Sequence, residues 1–172
     1  MGCLYVRRLR RSGLSSVPDS VLESCHKLMR KMGVQRAVQV FQSSLVHSPL
    51  VVGYLRPMIL LPASAITGLT SSELELILAH ELAHIRKHDY LVNLVQTMIE
   101  ALLFYHPGMW WMSRQVHGER ENCCDDVAVA ISSDRATYIR ALALLEQQRV
   151  ASPALAATGG SLLNRVVSLI HI

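Results

Sequence analysis

The stretch SSELELILAHELAHIRKH, residues 71–88, carries apolar side chains on every turn and constrains the fold more than any other part of the chain. Thr70 and Glu73, at its start, match a capping box, in which the two residues satisfy each other's backbone N–H groups. The stretch therefore predicts a helix from about Ser71 to His88. Because a helix that is apolar on most sides is usually buried, its polar residues are expected to face the interior of the protein.

Three polar residues of this helix have the spacing of a metal site. His80 and His84 are four residues apart, so both imidazoles lie on one face, with β-carbons about 6 Å apart. Glu81 lies one step round the helix. This H-E-x-x-H arrangement predicts one zinc ion, with Glu81 as the general base that takes a proton from the attacking water. The alternative is a solvated, histidine-rich helix face, but this pattern is expected by chance only about 0.02 times in a chain of this composition.

A catalytic zinc ion takes a third protein ligand and keeps one position open. His88 does not qualify, because on a continuous helix it lies about 12 Å from His80. The acidic stretch GERENCCDDVAVA offers a ligand from a second helix, with Glu119 and Glu121 as the candidates. Glu121 is favoured because Asp125, four residues further on, can accept a hydrogen bond from a ligating imidazole. The alternative is that this cluster is an ordinary exposed helix face.

Two further residues are candidates for contact with a substrate or with developing negative charge. His106, in YHPGMWW, either contacts a substrate carbonyl or caps the helix that follows. Capping is the commoner role for a histidine that precedes proline. Arg120 either stabilises developing negative charge or balances the acidic side chains around it. The sequence leaves both pairs of alternatives open.

The remaining patterns predict a helix-dominated α+β domain. Helical spacing recurs over residues 19–32, 91–102, 109–131 and 134–150. AVQVFQSS predicts one strand, and PLVVGYLRPMILLP predicts two strands paired as a hairpin. Because prolines are found at sheet edges, we expect an edge strand near residues 57–61 that pairs with a peptide substrate.

The charge distribution divides the chain into three expected parts. Residues 1–36 carry eight Arg or Lys and two Asp or Glu, a local charge of +6. The start, MGCLYVRRLRR, has the pattern of the cytoplasmic end of a membrane helix. We therefore expect a basic juxtamembrane segment (1–15), a zinc metallopeptidase domain (16–150), and a linker with a short amphipathic tail (151–172). Few aromatic residues and no binding motif argue against direct nucleic-acid binding.

Several motifs together resemble one known family. The segments VVGYLRPMILLP, ILAHELAHIRKHDY, FYHPGMWWMSRQV and ERENCCDDVAVA, in this order and spacing, are similar to the BlaR/MecR-type membrane metallopeptidases, the antirepressor family of antibiotic sensor-transducers. The resemblance implies a small gluzincin-like zinc peptidase domain, with a short sheet packed on the active-site helices. By position, His80, His84 and Glu121 match the zinc ligands of the family, and Glu81 matches its catalytic base.

The resemblance also implies a function. It predicts a membrane-associated bacterial zinc endopeptidase, with its site facing the cytoplasm, that cleaves a regulatory protein or itself in signal transduction. The expected protein substrate is a winged-helix transcriptional repressor. Two alternatives remain open at this point. One is a membrane quality-control gluzincin protease, and the other is a non-catalytic regulatory or zinc-binding module left by truncation.

Overall fold

The computed structural model describes residues 13–132 and 134–150. Its elements, in chain order, are β1 (Leu14–Ser16), α1 (Asp19–Met32), β2 (Gln39–Ser43), β3 (Leu50–Val52), β4 (Met58–Pro62), α2 (Ala63–Gly68), α3 (Ser71–Arg86), α4 (Asp89–Leu102), α5 (Pro107–Ser132) and α6 (Arg135–Val150). Helices dominate and one small sheet accompanies them, which confirms the predicted α+β class. The tail predicted at 151–172 and most of the predicted basic segment lie outside the described residues.

The four strands form one mixed sheet in the order β1-β2-β4-β3. β3 and β4 pair antiparallel, which confirms the predicted hairpin, and β2 pairs with β4 in parallel. β1 pairs antiparallel with β2 and completes the sheet. The sequence analysis did not predict β1, because its three residues are too few to show any alternation.

The prediction of a peptide-accepting edge strand near residues 57–61 is wrong. β4 occupies this stretch and has no free edge, because β2 and β3 pair with both of its sides. All five of its residues are also buried. Pro57 precedes the strand and Pro62 is its last residue, so neither removes a hydrogen bond from the middle of the ladder. The edge strands are β1 and β3.

The central element of the fold is α3. Its predicted capping box is confirmed: the Thr70 hydroxyl accepts from the Glu73 N–H at 3.3 Å, and the Glu73 carboxylate accepts from the Thr70 N–H at 2.9 Å. Eleven of its sixteen residues are buried, because α1, α5 and α6 all pack against it. Three polar residues of α3, Glu73, His80 and Glu81, are therefore held inside the protein.

The main hydrophobic core lies between α1, α3, α6 and the sheet. A smaller apolar cluster lies around the β3–β4 hairpin and consists of Val46, Val52, Met58 and Leu60. Among the helices in the described part of the chain, none combines the length and the apolar character needed to cross a membrane.

Candidate metal centre

Three side chains from two helices bring potential metal ligands together. α3 carries His80 and His84 one turn apart, and α5 carries Glu121. The Nε2 atoms of the two histidines lie 3.0 Å apart. The Glu121 carboxylate places Oε2 at 3.6 Å from Nε2 of His80, and Oε1 at 3.7 Å from Nε2 of His84. All three residues that the sequence proposed as ligands thus meet at one place.

A zinc ion fits between these atoms. Tetrahedral coordination with bonds of about 2.0–2.1 Å places ligand atoms about 3.3 Å from one another. The three observed separations, from 3.0 to 3.7 Å, lie around that value. Two imidazole nitrogens and one carboxylate also leave a fourth position open, which is the ligand set of a catalytic zinc site. The chemistry and spacing of the donor atoms therefore match zinc.

The outer side of the His80 ring is held by two buried groups. Its Nδ1 atom lies 2.9 Å from Oδ1 of Asp125 and 2.9 Å from the hydroxyl oxygen of Tyr138. The Tyr138 hydroxyl in turn donates to the same Asp125 oxygen at 2.7 Å. Both partners are almost fully buried. This network favours a proton on Nδ1 and leaves the Nε2 lone pair for the metal.

The outer side of the His84 ring is held in the same way by α4. Its Nδ1 atom lies 2.5 Å from Oδ2 of Asp89, a residue that is buried at the start of α4. Arg120 holds this carboxylate in place, with Nη2 at 3.4 Å from Oδ2 and 3.3 Å from the Asp89 carbonyl oxygen. The other guanidinium nitrogen, Nη1, donates to Asn93. Each of the two candidate ligand histidines, His80 and His84, therefore has its own carboxylate.

A second group of donor atoms lies beside the first. Cys124 places Sγ 3.5 Å from Nδ1 of His84 and 3.9 Å from Oδ2 of Asp89. Burial, followed by the negative charge of Asp89, raises the pKa of the Cys124 thiol to about 12. This second group shares His84 with the first and packs against the outer side of its ring.

A cavity of about 400 Å³ opens over the three candidate ligands. Glu81 lines it from α3 and is only 7% exposed. β3 and the loop that follows it, including Tyr54, form another part of the wall. The cavity therefore brings together a carboxylate, the candidate metal ligands and a sheet edge, which are the parts that hydrolysis of an extended peptide requires.

The other candidates from the sequence lie in different places. His106 is exposed at the start of α5 and away from the cavity lining, and its Nδ1 atom accepts a hydrogen bond from the Gly108 N–H at 3.2 Å. This is the geometry of the capping alternative. Arg120 does line the cavity, but its guanidinium group is engaged with Asp89. Glu119 is exposed and does not line the cavity.

The sequence analysis missed two residues of this centre. Asp89 follows His84 by five residues, which is not a helical spacing, and it reaches the ring because the chain turns at His88, whose φ is 57°. Tyr138 lies 58 residues after His80, and no local pattern links the two. A buried tyrosine in the helix after an acidic motif is a weak signal, because most such residues only fill a core.

Replacing Tyr138 by phenylalanine is expected to weaken zinc binding by about tenfold, because outer partners of this kind change metal affinity by 10–100-fold. The ring volume is kept, so far-UV circular dichroism should not change. Competition with a chromophoric chelator measures the affinity. Tyr90→Phe is the matched control, since Tyr90 is 54% exposed and lies outside this network. Equal affinities for the two variants would show that the Tyr138 hydroxyl does not position His80.

The chain is similar to two kinds of regulatory and resistance protein. The chain is 28% identical to the regulatory protein BlaR1 of Bacillus licheniformis over 120 residues, which cover 70% of this chain and 20% of the relative. It is 24% identical to the methicillin resistance mecR1 proteins of Staphylococcus aureus and Staphylococcus epidermidis over 130 residues, covering 72% of this chain and 22% of each relative. The chain thus spans about a fifth of the length of these relatives.

A family model matches nearly the whole chain. It covers residues 2–169 and describes the BlaR1 peptidase M56. The matched range includes both helices that carry the candidate ligands and the sheet that borders the cavity. The chain therefore belongs to the M56 family of BlaR1 peptidases.

Proposed function

We propose that this chain is the catalytic domain of a zinc-dependent endopeptidase that cleaves a regulatory protein, or itself, in a signalling pathway. The observation that carries the proposal is the meeting of His80, His84 and Glu121 at separations of 3.0–3.7 Å, with Glu81 in the same cavity. Membership of a peptidase family supports a hydrolytic role. The similarity to a regulatory protein and to resistance proteins supports a role in regulation.

In the proposed mechanism, the metal and the protein side chains have different roles. A zinc ion held by the three ligands supplies Lewis acidity, which polarises the peptide carbonyl and lowers the pKa of water. Glu81 accepts a proton from the attacking water and delivers it to the leaving amine. Asp125 fixes the His80 ring and Asp89 fixes the His84 ring, each through the Nδ1 atom of the histidine. Arg120 acts through Asp89, so its role is to position His84.

The substrate is expected to bind as an extended strand along β3. β3 pairs only with β4 among the described residues, and it contributes Leu50 and Val51 to the cavity lining. An edge strand of this kind offers unpaired backbone groups to a peptide. Pairing there would carry the scissile bond past the candidate ligands. This assignment replaces the edge near residues 57–61 that the sequence analysis predicted.

The proposed partner is a cytoplasmic transcriptional repressor of the winged-helix type, and the proposed location is the cytoplasmic face of a bacterial membrane. Both follow from the resemblance set out above and from the basic residues 1–12, whose structure is not described. No direct contact with nucleic acid is proposed. The repressor is proposed as the substrate because the family that the chain resembles is an antirepressor family.

Removal of the metal tests the proposed activity. Treating the purified chain with a chelator is expected to abolish cleavage of itself or of a candidate repressor, and about one equivalent of Zn²⁺ should restore it. Mg²⁺ at the same concentration is the control, because it prefers six oxygen ligands and should not restore cleavage. Cleavage that persists after the metal is gone contradicts the proposal. Zinc binding without cleavage of any substrate would favour the non-catalytic module.

A further inference from the structure

The hairpin formed by α4 and the first part of α5, residues 90–113, has its polarity reversed relative to a water-soluble protein. Its large apolar side chains are exposed, several by more than half: Tyr90, Val95, Met98, Leu102, Phe104, Tyr105, Trp110, Trp111 and Met112. From 90 to 108 every residue is exposed except the polar Gln96 and Glu100, which are half-buried. A helix in water turns its apolar face inward, and this hairpin does the opposite.

Hydrogen bonds among Gln96, Glu100 and Ser113 join the two helices of the hairpin. Gln96 donates to the carboxylate of Glu100 and to the backbone carbonyl oxygen of Ser113. The Ser113 hydroxyl also donates to Glu100 across the same contact. With 3.6 residues per turn, the exposed apolar positions of α4 cover an arc of about 200°, and its polar positions occupy the remainder. An apolar arc this wide is covered better by an apolar solvent that surrounds the helix than by a partner protein that contacts only one side of it.

Three hydrogen bonds also pair polar groups at the tip of the hairpin. The Leu103 N–H donates to the Ile99 carbonyl oxygen at 2.9 Å, and the His106 N–H donates to the Leu103 carbonyl oxygen at 2.9 Å. The indole N–H of Trp110 donates to the carbonyl oxygen of Phe104 at 3.1 Å. Unpaired polar groups are costly in lipid, where water cannot replace the missing partner. The three hydrogen bonds at the tip lower this cost for the groups that they pair.

Charge follows the same pattern. Between residues 90 and 113 the only Asp, Glu, Lys or Arg is Glu100, which is the residue paired inside the hairpin. Charged residues return directly at the base, where Arg86 and Lys87 are exposed. Such a base suits lipid headgroups, because cationic side chains are attracted to the anionic lipids of a membrane surface.

From these observations we propose that residues 90–113 form a hairpin that inserts into the hydrocarbon region of a lipid bilayer, with its base at the headgroups. The 14 residues of α4 extend about 21 Å, less than the hydrocarbon thickness of about 30 Å, so the hairpin enters the bilayer without crossing it. The cavity described above borders the base, since Asp89 begins α4. The catalytic cavity is thereby held at the membrane surface.

Intrinsic fluorescence tests the insertion directly, because the chain contains only two tryptophans and both, Trp110 and Trp111, lie in the hairpin. The full chain is transferred from detergent to neutral phosphatidylcholine vesicles at high salt. We expect an emission that is blue-shifted relative to tryptophan in water. We also expect strong quenching when the acyl chains carry bromine. The neutral lipid and the salt exclude an effect of the basic segment, which needs anionic lipid. An unshifted and unquenched emission in the parent chain overturns the proposal.

Two variants locate the effect in the hairpin. Leu94→Glu and Met98→Glu place a charge on the outer face, and each is expected to weaken vesicle partitioning by at least about tenfold. Leu55→Glu is the matched control, because Leu55 is 88% exposed but lies before β4. Circular dichroism checks that each variant folds, and the brominated-lipid result on the parent chain does not depend on them. Equal partitioning of all variants contradicts the proposal.

A second copy of the chain is the main competing occupant of this surface. Sedimentation of the parent chain without lipid distinguishes the two cases. A stable dimer whose tryptophans are unaffected by brominated lipid would assign the surface to self-association and overturn lipid insertion. The test reads neither zinc content nor cleavage, so its failure would leave the proposed peptidase function untouched.

Discussion

Glu81→Gln is expected to reduce peptide cleavage by on the order of 10²-fold or more, because proton transfer by a placed general base contributes about 10²–10⁴-fold. The fold and the zinc content should be unchanged. The amide is nearly isosteric with the carboxylate, and Glu81 lies beside the three candidate ligands without being one of them. The measurement compares cleavage of a repressor or self-cleavage by the parent and the variant at matched zinc content.

Asp126→Asn is a suitable control for this comparison. Asp126 is exposed on α5 and does not line the cavity, so the same loss of charge there should not change the rate. Undiminished cleavage by Glu81→Gln would remove Glu81 from the mechanism. Loss of zinc in that variant would instead indicate that Glu81 supports the metal, and the decrease in rate would then say nothing about a base.

The second large effect is expected at the third ligand. Glu121→Ala should lower zinc affinity by more than about 10²-fold, beyond the 10–100-fold effect of an outer partner. Glu119→Ala is the matched control, because it removes the same side chain two positions earlier on α5, where it is exposed and outside the cavity lining. Elemental analysis and chelator competition measure both variants. Full zinc in Glu121→Ala together with loss in Glu119→Ala would reverse the assignment.

The part of the site that lies on regular helix was accessible from the sequence. His80 and His84 are one turn apart on any helix, and so are Glu121 and Asp125. Local spacing alone therefore predicted that the two members of each pair lie on the same helix face. The buried position of His80 followed from the apolar residues around it on α3. The structure adds what spacing cannot give, which is the 3.6 Å approach of the Glu121 carboxylate to His80 from a different helix.

The parts that were missed depend on tertiary contacts. Asp89 reaches His84 only because the backbone leaves the helix at His88 in a left-handed conformation, which is uncommon for a residue other than glycine. Tyr138 is brought in by the packing of α6 on α3. The edge near residues 57–61 was wrongly predicted because the parallel partner of β4 is β2, a pairing that joins strands separated by β3.

One continuous helix, α5, connects the hairpin to the candidate metal centre. α5 runs without interruption from Pro107, at the hairpin tip, to beyond Glu121, whereas both histidines belong to α3 in the core. The 14 residues between those two positions span about 21 Å, so a tilt of about 5° about the tip moves the Glu121 carboxylate by about 2 Å. That displacement equals a zinc–ligand bond length of about 2 Å. A small tilt of α5 would therefore change the ligand distances at the candidate metal centre by about the length of one zinc–ligand bond.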